Sequence, residues 1–235
     1  GPLALCEVQG YAFEAAVGGA ELLDALEESG VLESSGAGGD ELGDTGGVAP
    51  TELRAWAERL KGRFREKFWV TTEEGTYPAV ALDRYGKPVD TLTSNVGHLI
   101  GTGILSREEE RSVAALLAGP TMSSGFGIRT LSTAARGYWP LSYHVGSVWP
   151  HDTAVTVRGM QKAGLREEAA SAAAQLVRAA SGFDYVIPEL YSGDSAGFTA
   201  RATPYPASCR PQAWSAASAF VCAAALAPER DGAGV

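Results

Sequence analysis

The sequence predicts an all-α fold of concentric helical hairpins, cut open on its N-terminal side and carrying a small β-hairpin insertion. Its helical stretches alternate in character along the chain: apolar all round, amphipathic, short and apolar, amphipathic, apolar, amphipathic, apolar. Inner helices of a hairpin ring are covered on every side, whereas outer ones meet water along one face, so this alternation is the pattern such a ring requires. Only the segment between Trp69 and Thr91 shifts to short β-like runs. Three and a half hairpins are written here, fewer than a closed ring of inner helices would need.

Each element follows from local signals. Leu3 to Ser29 is nearly apolar all round (Leu5, Val8, Tyr11, Phe13, Val17, Leu22, Leu26), and Gly30 ends it. Residues 36–50, rich in Gly, Asp and Glu, read as a flexible surface connector. Pro50-Thr51 starts an amphipathic helix with Leu53, Trp56, Leu60, Phe64 and Phe68 on one stripe. Turns at Glu74-Gly75 and Tyr85-Gly86 organise the hairpin, and a short helix is expected from Val96 to Leu105. Ser106 with Glu109 forms a capping box, and Gly119-Pro120 stops the helix it opens. Residues 120–146 are loop. Pro150 then starts a helix to about Ala163, and an amphipathic one from Arg166 to Ser181 buries Ala169, Ala173, Leu176, Val177 and Ala180. A long loop, Gly182 to Arg210, leads to a last apolar helix from Pro211 to about Ala227, and residues 228–235 read as a disordered tail. The whole of 1–235 is taken as one partial domain.

Composition narrows the function. The chain has 235 residues, 45% hydrophobic and 20% charged, with a net charge of -9. No broad basic field exists to gather phosphates, which disfavours nucleic acid as a partner. No apolar run is long enough for a membrane helix. Three cysteines (Cys6, Cys209, Cys222) form neither a disulfide framework nor a CxxC site, pointing to a reducing, cytoplasmic setting. The chain opens Gly1-Pro2-Leu3 without the form of a signal peptide, as a cleaved product, a protease scar or a piece of a longer chain would.

Two stretches carry chemistry. In Tyr143 to Asp152, His144, Trp149, His151 and Asp152 crowd a loop-to-helix junction, where free N–H groups and the helix dipole favour hydroxyl or anionic ligands. Asp152 could equally serve only to offset that dipole. No third ligand accompanies the two histidines at metal-binding spacing, so no metal and no other cofactor is expected. In Tyr185 to Gly193, Glu189 is the one carboxylate among apolar and aromatic neighbours, a setting suited to a proton-handling group facing a cleft. The aromatic density nearby (Tyr138, Trp139, Trp149, Tyr205, Trp214) suits a sugar, since flat rings cover the C–H faces of pyranoses while polar groups meet the hydroxyls. Glu7 and Gln9 on the first helix, and Gln212 and Trp214 opening the last, are polar or amphipathic groups on helices that ought to be buried, and sugar hydroxyls would satisfy them. Gly193-Asp194-Ser195-Ala196-Gly197 matches a hydrolase nucleophile pattern, but it lacks a preceding strand, a following helix and a downstream His.

Taken in order, Cys6-Glu7-Val8-Gln9-Gly10-Tyr11, Ser94-Asn95-Val96-Gly97-His98-Leu99, Gly127-Ile128-Arg129-Thr130-Leu131-Ser132, Ser142-Tyr143-His144 to Asp152, Pro188-Glu189-Leu190 and Pro211-Gln212-Ala213-Trp214 resemble the bacterial amylo-α-1,6-glucosidase group, related to the C-terminal domain of glycogen debranching enzyme. The resemblance implies an (α/α)6 barrel, of which this chain is the C-terminal half, and inverting hydrolysis of α-1,6-linked glucosides in glycogen-like oligosaccharides. It places the general base on Glu189 and the general acid on an Asp upstream of the motif that opens this chain. The expected partners are therefore an α-glucan or oligosaccharide and the missing N-terminal half of the barrel. Val96 stands where the family usually has Pro. A non-catalytic, carbohydrate-binding remnant of such an enzyme is the alternative.

Overall fold

The computed structural model describes residues 3–30 and 48–228, so residues 36–47 of the expected connector and 229–235 of the expected tail lie outside it. Six α-helices occur among the described residues: α1 (Cys6–Glu28), α2 (Pro50–Phe68), α3 (Arg107–Ala118), α4 (Pro150–Lys162), α5 (Arg166–Ser181) and α6 (Ala213–Leu226). Strands β2 (Trp69–Thr72) and β3 (Gly75–Pro78) make the expected hairpin, and β4 (Ala81–Leu82) pairs antiparallel with β5 (Pro88–Val89). A further strand, β1 (Ala4–Leu5), pairs with β4, so the first helix starts at Cys6 rather than Leu3.

Helices α2, α3, α4 and α5 begin where local signals place them. Pro50 and Pro150 occupy first-turn positions, where a missing N–H costs nothing. The Ser106 Oγ accepts from Glu109 N at 3.3 Å while the Glu109 carboxylate accepts from Ser106 N at 2.6 Å. The helix expected over Val96 to Leu105 is instead a short 3-10 segment, Ser94–Leu99. It cannot continue because Gly101 and Gly103 adopt φ of 76° and 88°. The last helix starts at Ala213 because Gln212 is extended and its side chain caps the first turn.

Helix α1 lies against α2 and the 3-10 segment, and α4 packs on α5 and α6. The main core draws on both groups, with Phe13, Phe64, Leu99, Val113, Val157 and Leu176 among its buried side chains. Gly97 and Gly159 allow the 3-10 segment to lie close on α4: a Cβ on Gly97 would sit 2.4 Å from Thr156 Oγ1, and one on Gly159 2.3 Å from Ile100 O. Two helices expected to be inner ones are bare along one side. Helix α1 exposes Val8, Tyr11 and Leu22, while α6 buries Ser215, Ser218 and Cys222 yet leaves Phe220 81% exposed. On α2 the buried stripe is Ala57, Leu60, Phe64 and Phe68, with Trp56 at its open margin, and on α5 Val177 faces outward.

The loops are organised by a narrow ladder of isolated bridges, Arg129 to Val148, Val148 to Tyr191 and Tyr191 to Pro204. Beneath it Phe126, Val148, Phe183 and Tyr191 form a second small core. Arg129 is buried and donates to four backbone carbonyls: Gly193 O (2.7 Å), Ser123 O (2.8 Å), Pro120 O (3.1 Å) and Thr121 O (3.4 Å).

Candidate active site

The ladder places Glu189 beside the 143–152 stretch. Val148 and Tyr191 exchange both backbone hydrogen bonds (2.9 and 3.0 Å), so Glu189, two residues before Tyr191, is brought to Pro150, two residues after Val148, at the start of α4. Glu189 is only 8% exposed. Its backbone is fixed at both ends: its N–H donates to Cys209 O at 2.8 Å, and its carbonyl accepts from Ser215 Oγ of α6 at 3.4 Å. The Tyr143 hydroxyl donates to Glu189 Oε1 at 2.9 Å, and this bond raises the Tyr143 phenol above its usual pKa.

Around Glu189 the rings make one continuous wall. Tyr143 lies edge-on to Trp149 (centroids 4.8 Å) and 5.9 Å from Tyr205. His144 stacks on Trp149 at 5.5 Å, Trp149 meets His151 at 5.7 Å, and His151 stacks on Trp214 of α6 at 4.3 Å. The Trp149 indole N–H is anchored on Tyr143 O at 2.9 Å. Offset and edge contacts of this kind hold rings in fixed planes, which is what a carbohydrate face requires.

A polar strip continues the wall toward α1. Asp152, at the third position of α4, accepts from His98 Nε2 at 2.8 Å, and the other nitrogen of that ring pairs with the Tyr11 hydroxyl. Asn95 Nδ2 donates to Glu7 Oε1 at 2.8 Å. Burial alone would raise Asp152, but the hydrogen bond and charge of His98 outweigh it and hold the carboxyl below its usual range. His98 is raised in turn: burial opposes its charge, and Asp152 overcomes that. His151 is lowered, chiefly by burial, and is neutral near pH 7.

Of the residues singled out from the sequence, Glu189, His144, Trp149, His151 and Trp214 converge in one wall, and Asp152 and Glu7 lie in the strip beside it. Gln9 does not: its side chain bonds Leu5 O of its own helix at 3.1 Å. Gln212 is taken up by its capping of Ala213 N at 3.3 Å. Tyr143, His98, Asn95 and Tyr11 were not singled out. Each sits inside a quoted motif, and the matching spacings Glu7/Tyr11 and Asn95/His98, one helical turn apart, were the available signal. Ser195 lies in a turn, with neither a strand before it nor a helix after it. Among the described residues no group of three or more His, Cys, Asp or Glu is arranged to hold a metal ion.

A helical scaffold that sets a buried carboxylate beside an aromatic wall at the end of a loop ladder has the features of a sugar-binding site. The family follows from comparison: residues 38–201 match the mannosylglycerate hydrolase MGH1-like glycoside hydrolase domain, and the chain belongs to that family. Its fold is similar to that of the neutral trehalase of Saccharomyces cerevisiae (TM-score 0.65, 10% identity, 96% of this chain and 38% of that one). It is also similar to the GH63 mannosylglycerate hydrolase of Thermus thermophilus in complex with glucose (TM-score 0.61, 16% identity, 93% and 45%). An uncharacterised conserved protein of the same organism superposes equally well (TM-score 0.61, 16% identity, 93% and 48%). The chain thus spans less than half the length of these structures. No curated protein sequence matches it.

Proposed function

We propose that this chain is the base-bearing part of an inverting α-glycosidase. Glu189 takes a proton from water as that water attacks the anomeric carbon. The glycosidic C–O bond breaks, and its oxygen is protonated by a second carboxyl group on the opposite face. The reading is carried by one observation: Glu189 is the single carboxylate set within the aromatic wall. Tyr143 orients it, and His144, His151 and Trp214 offer their rings to the sugar, backed by the buried Trp149.

Asp152 is not suited to the acid's role, because an ionised carboxylate paired with His98 has no proton to give. The acid would then come from a segment outside these 235 residues, the partner that covers the open sides of α1 and α6. Its absence is also what favours a purely sugar-binding role for the isolated chain. As substrate we favour a short α-linked glycoside. The family description and the likeness to a trehalase point to small substrates, while the ordered sequence motifs point to α-1,6-linked glucosides as in glycogen debranching.

The test is product stereochemistry. The complete-length protein would be incubated with isomaltosyl, trehalose and mannosylglycerate substrates and followed by proton NMR of the anomeric signals. From isomaltosyl and mannosylglycerate substrates, the transferred sugar appearing first as its β-anomer supports the reading and as its α-anomer contradicts it; from trehalose, equal α- and β-glucose supports it and α-glucose alone contradicts it. Preference within the panel separates the debranching substrate from the short glycosides.

A further inference from the structure

The strip beside the wall is built as two rungs and a cap. Glu7 and Tyr11 stand one turn apart on the same face of α1, Asn95 and His98 one turn apart on the 3-10 segment, and the rungs are Glu7–Asn95 and Tyr11–His98. His98 then reaches through to Asp152 in the first turn of α4, so three elements meet on one imidazole. The side chains of His98 and Asp152 are 13% and 16% exposed, which shields their pairing from solvent. The same turn of α4 carries Trp149 at its start and His151 at its second position, with the His151 ring lying on Trp214.

We propose that His98 is a positioning residue of this wall: clamped between Tyr11 and Asp152, it ties α1 to the first turn of α4 and sets the electrostatic field in which His151 works. It rests on the glycosidase reading only in the use it assigns to His151.

The groups facing this pair can be named from every side. Helix α1 contributes Cys6, Glu7, Tyr11 and Glu14, α4 contributes His151, Asp152, Arg158 and Lys162, the last paired with Glu14, and the 189 loop contributes Glu189. The direct hydrogen-bond partners of the ring, Tyr11 and Asp152, are neutral and anionic, and His98 supplies the positive charge between them. Burial, with Glu7 next, pushes the Tyr11 phenol up to about 12, so Tyr11 stays a neutral hydrogen-bonding partner. His151 feels two opposed neighbours: Asp152 favours its protonation and His98 disfavours it. Removing the His98 charge while keeping a donor to Asp152 should therefore make His151 more basic. A merely structural His98 would leave His151 unmoved.

The chain contains three histidines, so its imidazole spectrum is simple. The histidine-labelled complete-length protein would be titrated by NMR, with the three imidazole signals of this chain assigned by their loss in His98→Gln, His144→Gln and His151→Gln. The expected result is one imidazole, lost in His98→Gln, titrating above the ordinary 6.5, and another, lost in His151→Gln, titrating below it. In His98→Gln the His151 midpoint should rise, because the opposing charge of His98 is gone. In Asp152→Asn the His98 midpoint should fall. A wild-type His98 titrating at or below its ordinary value would overturn the proposal without any variant, and so would an unmoved His151 in a folded His98→Gln. Either outcome is independent of whether the protein cleaves glycosides.

Discussion

Replacing Arg129 by Met should cost the fold a large part of its stability. The side chain is 3% exposed and its guanidinium is shared among four backbone carbonyls from two loops. Methionine fills much of the same volume but donates nothing. Gly193 O keeps the Tyr138 hydroxyl at 3.1 Å, whereas Arg129 is the side-chain donor to Pro120 O, Thr121 O and Ser123 O. A hydrogen bond from a charged donor is worth about 1.5–3 kcal/mol, and a stranded buried acceptor costs a comparable amount. Counting only the two short bonds gives about 3–6 kcal/mol. Relief from burying a guanidinium offsets part of this, leaving on the order of 3 kcal/mol. At roughly 2–4 °C per kcal/mol for a domain of this size, Tm should drop by about 6–12 °C. Thermal unfolding followed by circular dichroism reads it directly. Arg129→Lys, which keeps the charge and some of the donors, should recover part of the loss. A drop under about 3 °C in the Met variant would refute the claim that this guanidinium holds the two loops together.

Gly193→Ala should be more damaging than its single methyl suggests, because that Cβ would lie 1.8 Å from Gly146 O, where the 138–149 loop meets the Glu189 loop. Lowered Tm together with altered tryptophan fluorescence is expected, and an unchanged melting curve would contradict the close approach. The His98–Asp152 pair makes stability depend on pH. The raised His98 contributes fully below its ordinary 6.5 and loses its contribution as pH rises through the higher folded value. The lowered Asp152 contributes above its ordinary 3.8 and loses its contribution as pH falls through the folded value. Tm should therefore decline as pH rises above about 6.5, and Asp152→Asn should flatten that decline; equal slopes in both proteins would count against the pair. The bare sides of α1 and α6 should make the isolated chain associate or aggregate, since exposing several hundred Å² of apolar surface forfeits on the order of 10 kcal/mol. Light scattering on a size-exclusion column tests this, and a monodisperse monomer with a sharp thermal transition would mean these faces need no cover.

Much of the helical frame was legible in the sequence because its signals are local. Pro50, Pro150 and the Ser106/Glu109 box act within one turn, and apolar spacing then carries each helix to its end. The elements read wrongly depend on partners far away in the chain. Ala4–Leu5 is a strand only because β4 lies beside it, and Val96 to Leu105 is cut short by two glycines of positive φ, Gly101 set against α4 and Gly103 against Phe13 of α1. Glu189 stood out as the one carboxylate in an aromatic stretch. The ladder that brings it to the start of α4 spans residues 129 to 204 and leaves no periodic trace. The roles of Arg129 and His98 were likewise hidden, because nothing in a residue's neighbours along the chain reveals which carbonyls or carboxylates it will reach.

The central claim is that Glu189 activates water, and Glu189→Gln in the complete-length enzyme tests it most directly. The amide keeps the size of the side chain and a hydrogen bond with Tyr143 but cannot take a proton. On the best α-glycoside of the panel, kcat should fall by about a thousandfold or more while KM stays within about threefold. Near-normal turnover by Glu189→Gln, with Ser195→Ala run alongside as a silent control, would contradict the assignment.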